Sequence, residues 1–277
     1  MPETLRKHCR RLLEQGEVKL VIGYGQQSLA GEPHAVFITR PEDVEQLVWN
    51  DRCRTNLTAY LKRKEIRALG KPAIVVKPCD ERALVVLQQE SQLQRSQIVV
   101  IGMACPGMSG PACRSCDRRM PRSSDVTIGE APAPAEPVAS RYAELEAFFE
   151  RSPGERMAYW QAELARCVKC YACRQACPLC YCERCLVDKN RPTVIDTSAT
   201  LKGNFAWQIT RAFHLAGRCV GCDQCTRVCP AGIDLRLLNL SLAQAAEEQF
   251  AFRAGEDPSR EPIVGSYAQA DREDFIR

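Results

Sequence analysis

Apolar positions in the first 130 residues come in short unbroken runs at 18–23, 34–39, 73–77 and 97–103, with little alternation inside them. Runs of that length read as strands buried on both faces. Between them the apolar spacing is helical. Residues 1–16 read as a short basic helix with Leu5, Leu12 and Leu13 on one side and Gly16 ending it. A second helix is expected over 41–50, with Pro41 in its first turn, and a third from Asp80 as cap to about Gln89. Non-alternating strands separated by helices imply a small parallel-sheet α/β domain covered on both faces.

From about 121 to 140 the composition turns to Ala, Pro and Glu, centred on Ala131-Pro132-Ala133-Pro134-Ala135-Glu136-Pro137, which reads as a semi-rigid linker. Beyond it the pattern is helical. A helix over 141–166, broken at Ser152-Pro153-Gly154, presents Leu145, Phe148, Phe149, Met157, Trp160 and Leu164, read as core. Another is expected from Asn204 as N-cap to Gly217, carrying His214 as a packed or capping residue. The last starts at Asp234 with a stripe of Leu235, Leu238 and Leu242, and the polar tail beyond Ala254 reads as a partner-binding or disordered strip. The expected division is 1–120, a linker over 121–140, and 141–277.

The chemistry lies in the cysteines. Cys167, Cys170, Cys173 and Cys177-Pro178 form a Cys-x-x-Cys-x-x-Cys-x-x-x-Cys-Pro run, and Cys219, Cys222, Cys225 and Cys229-Pro230 repeat it. This is the two-cluster ferredoxin pattern, in which the fourth thiolate of each run ligates the other [4Fe-4S] cube. The expected sets are therefore crossed: Cys167, Cys170, Cys173 and Cys229 for cluster I, and Cys219, Cys222, Cys225 and Cys177 for cluster II. A pair of zinc sites is the competing reading, but zinc usually takes Cys-x-x-Cys pairs separated by a longer loop. The second half is thus expected to be a mostly helical 2[4Fe-4S] ferredoxin-like domain. Arg166, Lys169, Arg174, Arg184, Arg218 and Arg227 interleave the ligands, and positive charge there raises a cluster's potential.

Of the 17 cysteines, eight more are candidate ligands. Cys79 and Cys105 follow two of the expected parallel strands, whose carboxyl ends share the edge where ligands bind. Cys113 and Cys116 form a further Cys-x-x-Cys, Cys53 lies beyond the second expected helix, and Cys180, Cys182 and Cys185 adjoin the first ferredoxin run. With Cys9 set aside as a spare thiol, the count allows two to four cubes. The competing reading of the α/β thiols is ordinary small buried residues. Gly23 and Gly25 end the first strand and are weak candidates for cradling a cofactor phosphate, because the third glycine of the dinucleotide fingerprint is missing.

Lys77-Pro78-Cys79-Asp80-Glu81-Arg82-Ala83-Leu84, Ile101-Gly102-Met103-Ala104-Cys105-Pro106-Gly107-Met108 and Cys113-Arg114-Ser115-Cys116, with Pro121, Asp125 and Gly129, resemble the beta subunit family of deazaflavin-reducing hydrogenases and formate dehydrogenases. Cys53 with Asn56-Leu57 is similar to a segment of that family. The likeness covers about 18–130, and the second half is similar to cluster-carrying subunits of hydrogenase, formate dehydrogenase or heterodisulfide-reductase-like complexes. Members that reduce the deazaflavin carry a longer flavin-binding region, which a linker and ferredoxin domain replace here. The resemblance therefore implies an iron–sulfur α/β module more than a flavin site.

The formal charge of +4 is too small and dispersed to argue for nucleic acid. No apolar run approaches the roughly 20 residues needed to cross a bilayer, and the N-terminus lacks an export signal, so a reduced, cytoplasmic setting is expected. The sequence offers cubes without a nucleophile or an acid–base set. The expected function is electron transfer, between catalytic and flavin or iron–sulfur subunits of a larger oxidoreductase. The alternatives are a chain that itself reduces a flavin or deazaflavin, a flavin being compatible but not expected, and a zinc-stabilised interaction module.

Overall fold

The computed structural model describes residues 1–26, 31–130, 132, 140–188, 191–192, 195–267 and 269. Helix α1 (Pro2–Glu14) buries Leu5, Cys9 and Leu12. These recur at four and three residues, the spacing of one helical face. Cys9 is thus part of the core stripe, and burial pushes its thiol up to about 12.

Strands β1 (Leu20–Gly25) and β2 (His34–Ile38) pair antiparallel. The connection 26–33 is too short for a crossover, which needs about a dozen residues or more, so the expected all-parallel sheet has one antiparallel edge. The helix expected over 41–50 is only a 3-10 segment, Pro41–Gln46. Beyond it Leu47 is extended and bridges Gly25, while Val48 N–H donates to the Tyr24 carbonyl at 2.8 Å. The edge of β1 competes successfully for those backbone groups.

Helix α2 (Lys64–Ala68) leads into β3 (Pro72–Val76), α3 (Pro78–Gln89), β4 (Val99–Met103), α4 (Pro111–Arg114) and β5 (Val126–Ile128). The sheet order is β2-β1-β3-β4-β5, with β1, β3, β4 and β5 parallel. β5 carries the sheet into the stretch expected to be linker. The centre of that stretch, Ala131 and 133–139, lies outside the described residues. The cap of α3 is Lys77, and Asp80 sits three residues in, accepting from the Lys77 N–H at 3.1 Å. Pro78 occupies the first helical turn, where its missing N–H costs nothing.

The second half is helical: α5 (Ala143–Phe149), α6 (Pro153–Ala165), α7 (Ala172–Ala176), α8 (Leu201–His214), α9 (Gln224–Arg227) and α10 (Leu235–Phe250). The break before α6 is held by a capping box of Ser152 and Glu155. α8 starts earlier than expected. Thr200 caps it, and Asn204 is buried inside, donating to the carbonyls of Leu164 and Cys167 at 3.2 and 2.7 Å. Asp234 caps α10 as expected, but the buried leucines are Leu235, Leu237 and Leu240. One side of α10 meets Leu145 and Phe148, while Asn239 on another side reaches the Cys225 sulfur, so the helix is packed on more than one face.

The two halves share a core in which Ala83, Val86 and Leu87 of α3 pack with Leu179, Leu215, Val220 and Phe252. Arg218 grips Glu90 through two bonds of 2.7 and 2.9 Å, and the Asn56 N–H donates to the Gln224 side chain at 2.6 Å. The tail is not a free strip over its described length. Arg82 donates to the Ala254 carbonyl at 3.0 and 2.7 Å, and Glu256 pairs with Arg118 at 3.4 Å and Arg122 at 2.5 Å. Among the described residues no helix is long and apolar enough to cross a membrane.

Candidate metal centres

The two four-cysteine runs fold alike at the residues between their thiols. Lys169 and Tyr171 flank Cys170 with φ of 55° and 60°, and Gly221 and Asp223 flank Cys222 with φ of 70° and 64°. Left-handed backbone costs a non-glycine residue roughly 1–2 kcal/mol, so repeating it at matched positions marks a required turn. Each loop then enters a short helix, α7 or α9, carrying the third cysteine.

Cys167, Cys170 and Cys173 of the first run and Cys229 of the second line a single cavity of about 380 Å³, counting its open space. That is the crossed set expected for cluster I. Trp207, on α8, forms part of the wall with its indole Nε1 lacking a partner, and the Gln208 amide donates toward the sulfurs of Cys167 and Cys173 at 3.8 and 4.0 Å. A buried donor without an acceptor costs about 1–3 kcal/mol. Donors collected around four thiols fit an anionic, acceptor-rich group. Cys170 is exposed at the rim, with Val168 66% exposed beside it.

Cys219 and Cys222 line a second, larger cavity of about 1150 Å³ between the halves. Cys225 is buried, and its sulfur accepts from the Asn239 amide at 3.6 Å. Cys177 packs with Cys219 and Cys222. The neighbouring Cys180 thiol holds Cys177 low, while that neighbour and burial push Cys180 well up. Burial also pushes Cys222 up to about 12 and raises Cys225 further. Thiols this desolvated become thiolates when a metal supplies the compensating charge.

Arg211 of α8 is buried between the two sets, 3% exposed, and donates to the Cys173 carbonyl at 3.2 Å. Although burial opposes its charge, the surrounding sulfurs of Cys180, Cys177, Cys225 and Cys173 raise its pKa. Sequence reasoning missed it. The available signal was a polar stripe of Asn204, Gln208 and Arg211 at helical spacing on an otherwise apolar helix.

Cys79, Cys105, Cys113 and Cys116 all line the large cavity. Cys79 and Cys105 reach it from the carboxyl ends of β3 and β4, Cys113 from α4 and Cys116 from just beyond that helix. Burial pushes the Cys79 thiol well up, with Asp80 adding to it. The wall is rich in arginine, including Arg54, Arg118 and Arg236, and buried nitrogens of Arg118 and Arg236 lack partners. Beneath lies an enclosed network in which Lys77 Nζ meets Asp80 at 2.7 Å and the Thr55 carbonyl at 2.8 Å, and also bonds the Tyr24 hydroxyl.

The remaining expected site residues disperse. Cys53 is fully buried in the α/β core, with its sulfur accepting from the Asn50 N–H at 3.4 Å, and it does not line the large cavity. Cys182 is exposed, and Cys185 packs beside Cys167 and Cys229. Gly23 and Gly25 face packing atoms: an added Cβ would lie 2.3 Å from Leu47 and 2.4 Å from Val36. Close approach of neighbouring side chains accounts for both glycines without a phosphate. Among the described residues no three His, Cys, Asp or Glu side chains close on a point suited to a single metal ion.

A family model described as a 4Fe-4S dicluster domain matches residues 163–233. The F420-dependent formate dehydrogenase subunit beta of Methanocaldococcus jannaschii is 30% identical over 105 residues, 38% of this chain and 27% of that protein. The F420-dependent formate dehydrogenase 1 subunit beta of Methanococcus maripaludis is 21% identical over 355 aligned positions, 92% of this chain and 90% of that protein. The resemblance read from the cysteine segments therefore extends to formate dehydrogenase beta subunits, and the second half carries a 4Fe-4S dicluster domain.

Proposed function

We propose that this chain is an iron–sulfur electron-transfer subunit of a multi-subunit oxidoreductase, holding three [4Fe-4S] cubes. The observation that carries the reading is the single cavity lined by Cys167, Cys170, Cys173 and the distant Cys229. Three thiols from one run joined by the fourth of the other is the two-cluster ferredoxin arrangement, whereas zinc usually takes Cys-x-x-Cys pairs. Cys219, Cys222, Cys225 and Cys177 would hold the second cube, and Cys79, Cys105, Cys113 and Cys116 the third. The dispersal of Cys53, Cys180, Cys182 and Cys185 argues against a fourth.

Bound cubes supply reversible one-electron chemistry. The chain's own residues do the rest. Gln208 and Asn239 aim amide N–H groups at ligand sulfurs, and Arg211 keeps a positive charge in the low-dielectric space between two thiol sets. Both features favour the more negative, reduced form and raise the potential. The large cavity is lined by Cys79 and Cys222 together, which supports a route from the α/β half through the second site to the first, with exposed Cys170 at its end.

The relatives' printed names support a formate dehydrogenase complex as the setting, with catalytic and flavin or iron–sulfur subunits as partners. A cytoplasmic location accords with thiols spent on metal in place of disulfides. Iron and acid-labile sulfide in anaerobically purified protein are expected at about 12 each per chain, four per cube. The Cys79→Ala/Cys105→Ala variant is expected to fall to about 8. Zinc without iron would overturn the proposal.

A further inference from the structure

The four thiols assigned to the third site come from three separate places in the chain: Cys79 in the first turn of α3, Cys105 just beyond β4, and Cys113 and Cys116 in and just past α4. The segment that follows Cys116 meets each of them. The Cys105 N–H donates to the Arg119 carbonyl at 2.9 Å, and the Arg119 guanidinium donates to the Cys113 carbonyl at 3.5 Å. What fixes the segment to α3 is Glu81, two residues beyond Cys79 and only 2% exposed. Its Oε2 accepts from the Arg122 N–H at 2.7 Å and from the Arg118 guanidinium at 3.5 Å, and its Oε1 accepts from the Ser123 N–H at 2.7 Å and the Ser124 hydroxyl at 2.9 Å. A buried carboxylate has to be paired and hydrogen-bonded. All these donors belong to the one segment.

We infer that Glu81 is the positioning residue of the third site, its carboxylate holding 118–124 against α3 and so bringing Cys105, Cys113 and Cys116 to Cys79. The inference rests on the proposal that these four cysteines hold a [4Fe-4S] cube. Glu81 is not itself a ligand: both its oxygens are engaged, and it does not line the large cavity. Losing an outer contact of this kind typically weakens metal binding about 10–100-fold. Glutamine keeps one acceptor oxygen and sets an amide N–H₂ against the remaining donors, whereas alanine removes every contact. Arg122 offers the control. Its side chain pairs with Glu256 of the tail at 2.5 Å, while its backbone N–H is the group bonded to Glu81. Arg122→Ala therefore cuts the tail link and leaves the Glu81 contacts in place.

The test uses the full chain purified without oxygen as wild type, Glu81→Ala, Glu81→Gln and Arg122→Ala, read by iron content, low-temperature EPR and redox titration. Cys79→Ala/Cys105→Ala identifies the third cube's signal. Glu81→Ala is expected to fall from about 12 irons to about 8, losing that signal while the other two persist, and Arg122→Ala to stay at about 12. Glu81→Gln is expected to shift the midpoint potential of the third cube alone. A Glu81→Ala protein with full iron content and an unchanged third signal overturns the inference, and so does an equal iron loss in Arg122→Ala, which would trace the loss to general loosening. If Glu81→Ala yields no folded protein, Glu81→Gln decides: a third potential that moves while the other two hold supports the inference, and one that stays put or moves together with them overturns it. The wild-type count is read first. Wild-type protein with only about 8 irons would sink the third cube of the proposed function, whereas iron-replete wild type with indifferent Glu81 variants would sink only the role of Glu81.

Discussion

The polar side chains nearest the candidate thiols lie on helices whose pattern looked apolar. Gln208 lies near two ligand sulfurs of the first site, and Arg211 lies between the first and second. Gln208→Leu removes an N–H···S contact from one set only, so the midpoint potential of cluster I is expected to fall while cluster II stays put. Arg211→Met removes a charge facing both, so both potentials are expected to fall. An EPR-monitored redox titration separates the two outcomes. The 4Fe-4S domain was legible because the spacing of the two four-cysteine runs is that of a loop that wraps a cube. Arg211 was not, because nothing in its neighbours along the chain announces what the helix packs against. Cys53 was less legible: a cysteine in a family-like segment can also fill a core, and its sulfur is buried and locally bonded. At the same scale, Lys77→Met leaves enclosed Asp80 without its ammonium. Removing one partner of a buried pair costs about 3–5 kcal/mol, and a lowered midpoint of thermal unfolding of the holo-protein checks it.

Among the elements, the strand–helix alternation of the first half was readable because unbroken apolar runs leave few other choices. The antiparallel edge at β2 was readable in principle from the short 26–33 connection, and β5 was too brief to register. The tail was misjudged because its composition is polar, and its attachments run through backbone carbonyls that composition does not report. Gly255 makes that attachment sensitive: its φ is +69°, and an added Cβ would lie 2.1 Å from the Arg82 carbonyl oxygen. Gly255→Ala is expected to cost at least the roughly 1–2 kcal/mol of left-handed strain and to expose 251–263 to limited proteolysis. Gly154 in α6 meets nothing within 4 Å. Gly154→Ala is therefore the control, expected to stabilise by about 0.5–1 kcal/mol through lower unfolded-chain entropy.

Over the whole molecule the candidate ligand thiols are also structural. Cys173 and Cys225 are core residues of the helical half, packed with Leu164, Trp207 and Ile233. Those of the large cavity lie where the two halves meet. Removing iron should therefore loosen the helical half before the sheet, whose core of Leu20, Ile22, Ile74 and Ile101 includes Cys105 at its edge but none of the ferredoxin-run cysteines. Anaerobic chelation followed by limited proteolysis is expected to cut within 163–233 while 1–120 persists. Cleavage beginning in the sheet would show that the metal sites do not support the helical half.

The electron-relay claim is tested most directly by low-temperature EPR of the dithionite-reduced, anaerobically purified chain. Three reduced [4Fe-4S] signals broadened by magnetic interaction between neighbours are expected, because the large cavity joins the third site to the second and Arg211 lies between the second and first. A colourless, EPR-silent protein that carries zinc would contradict it.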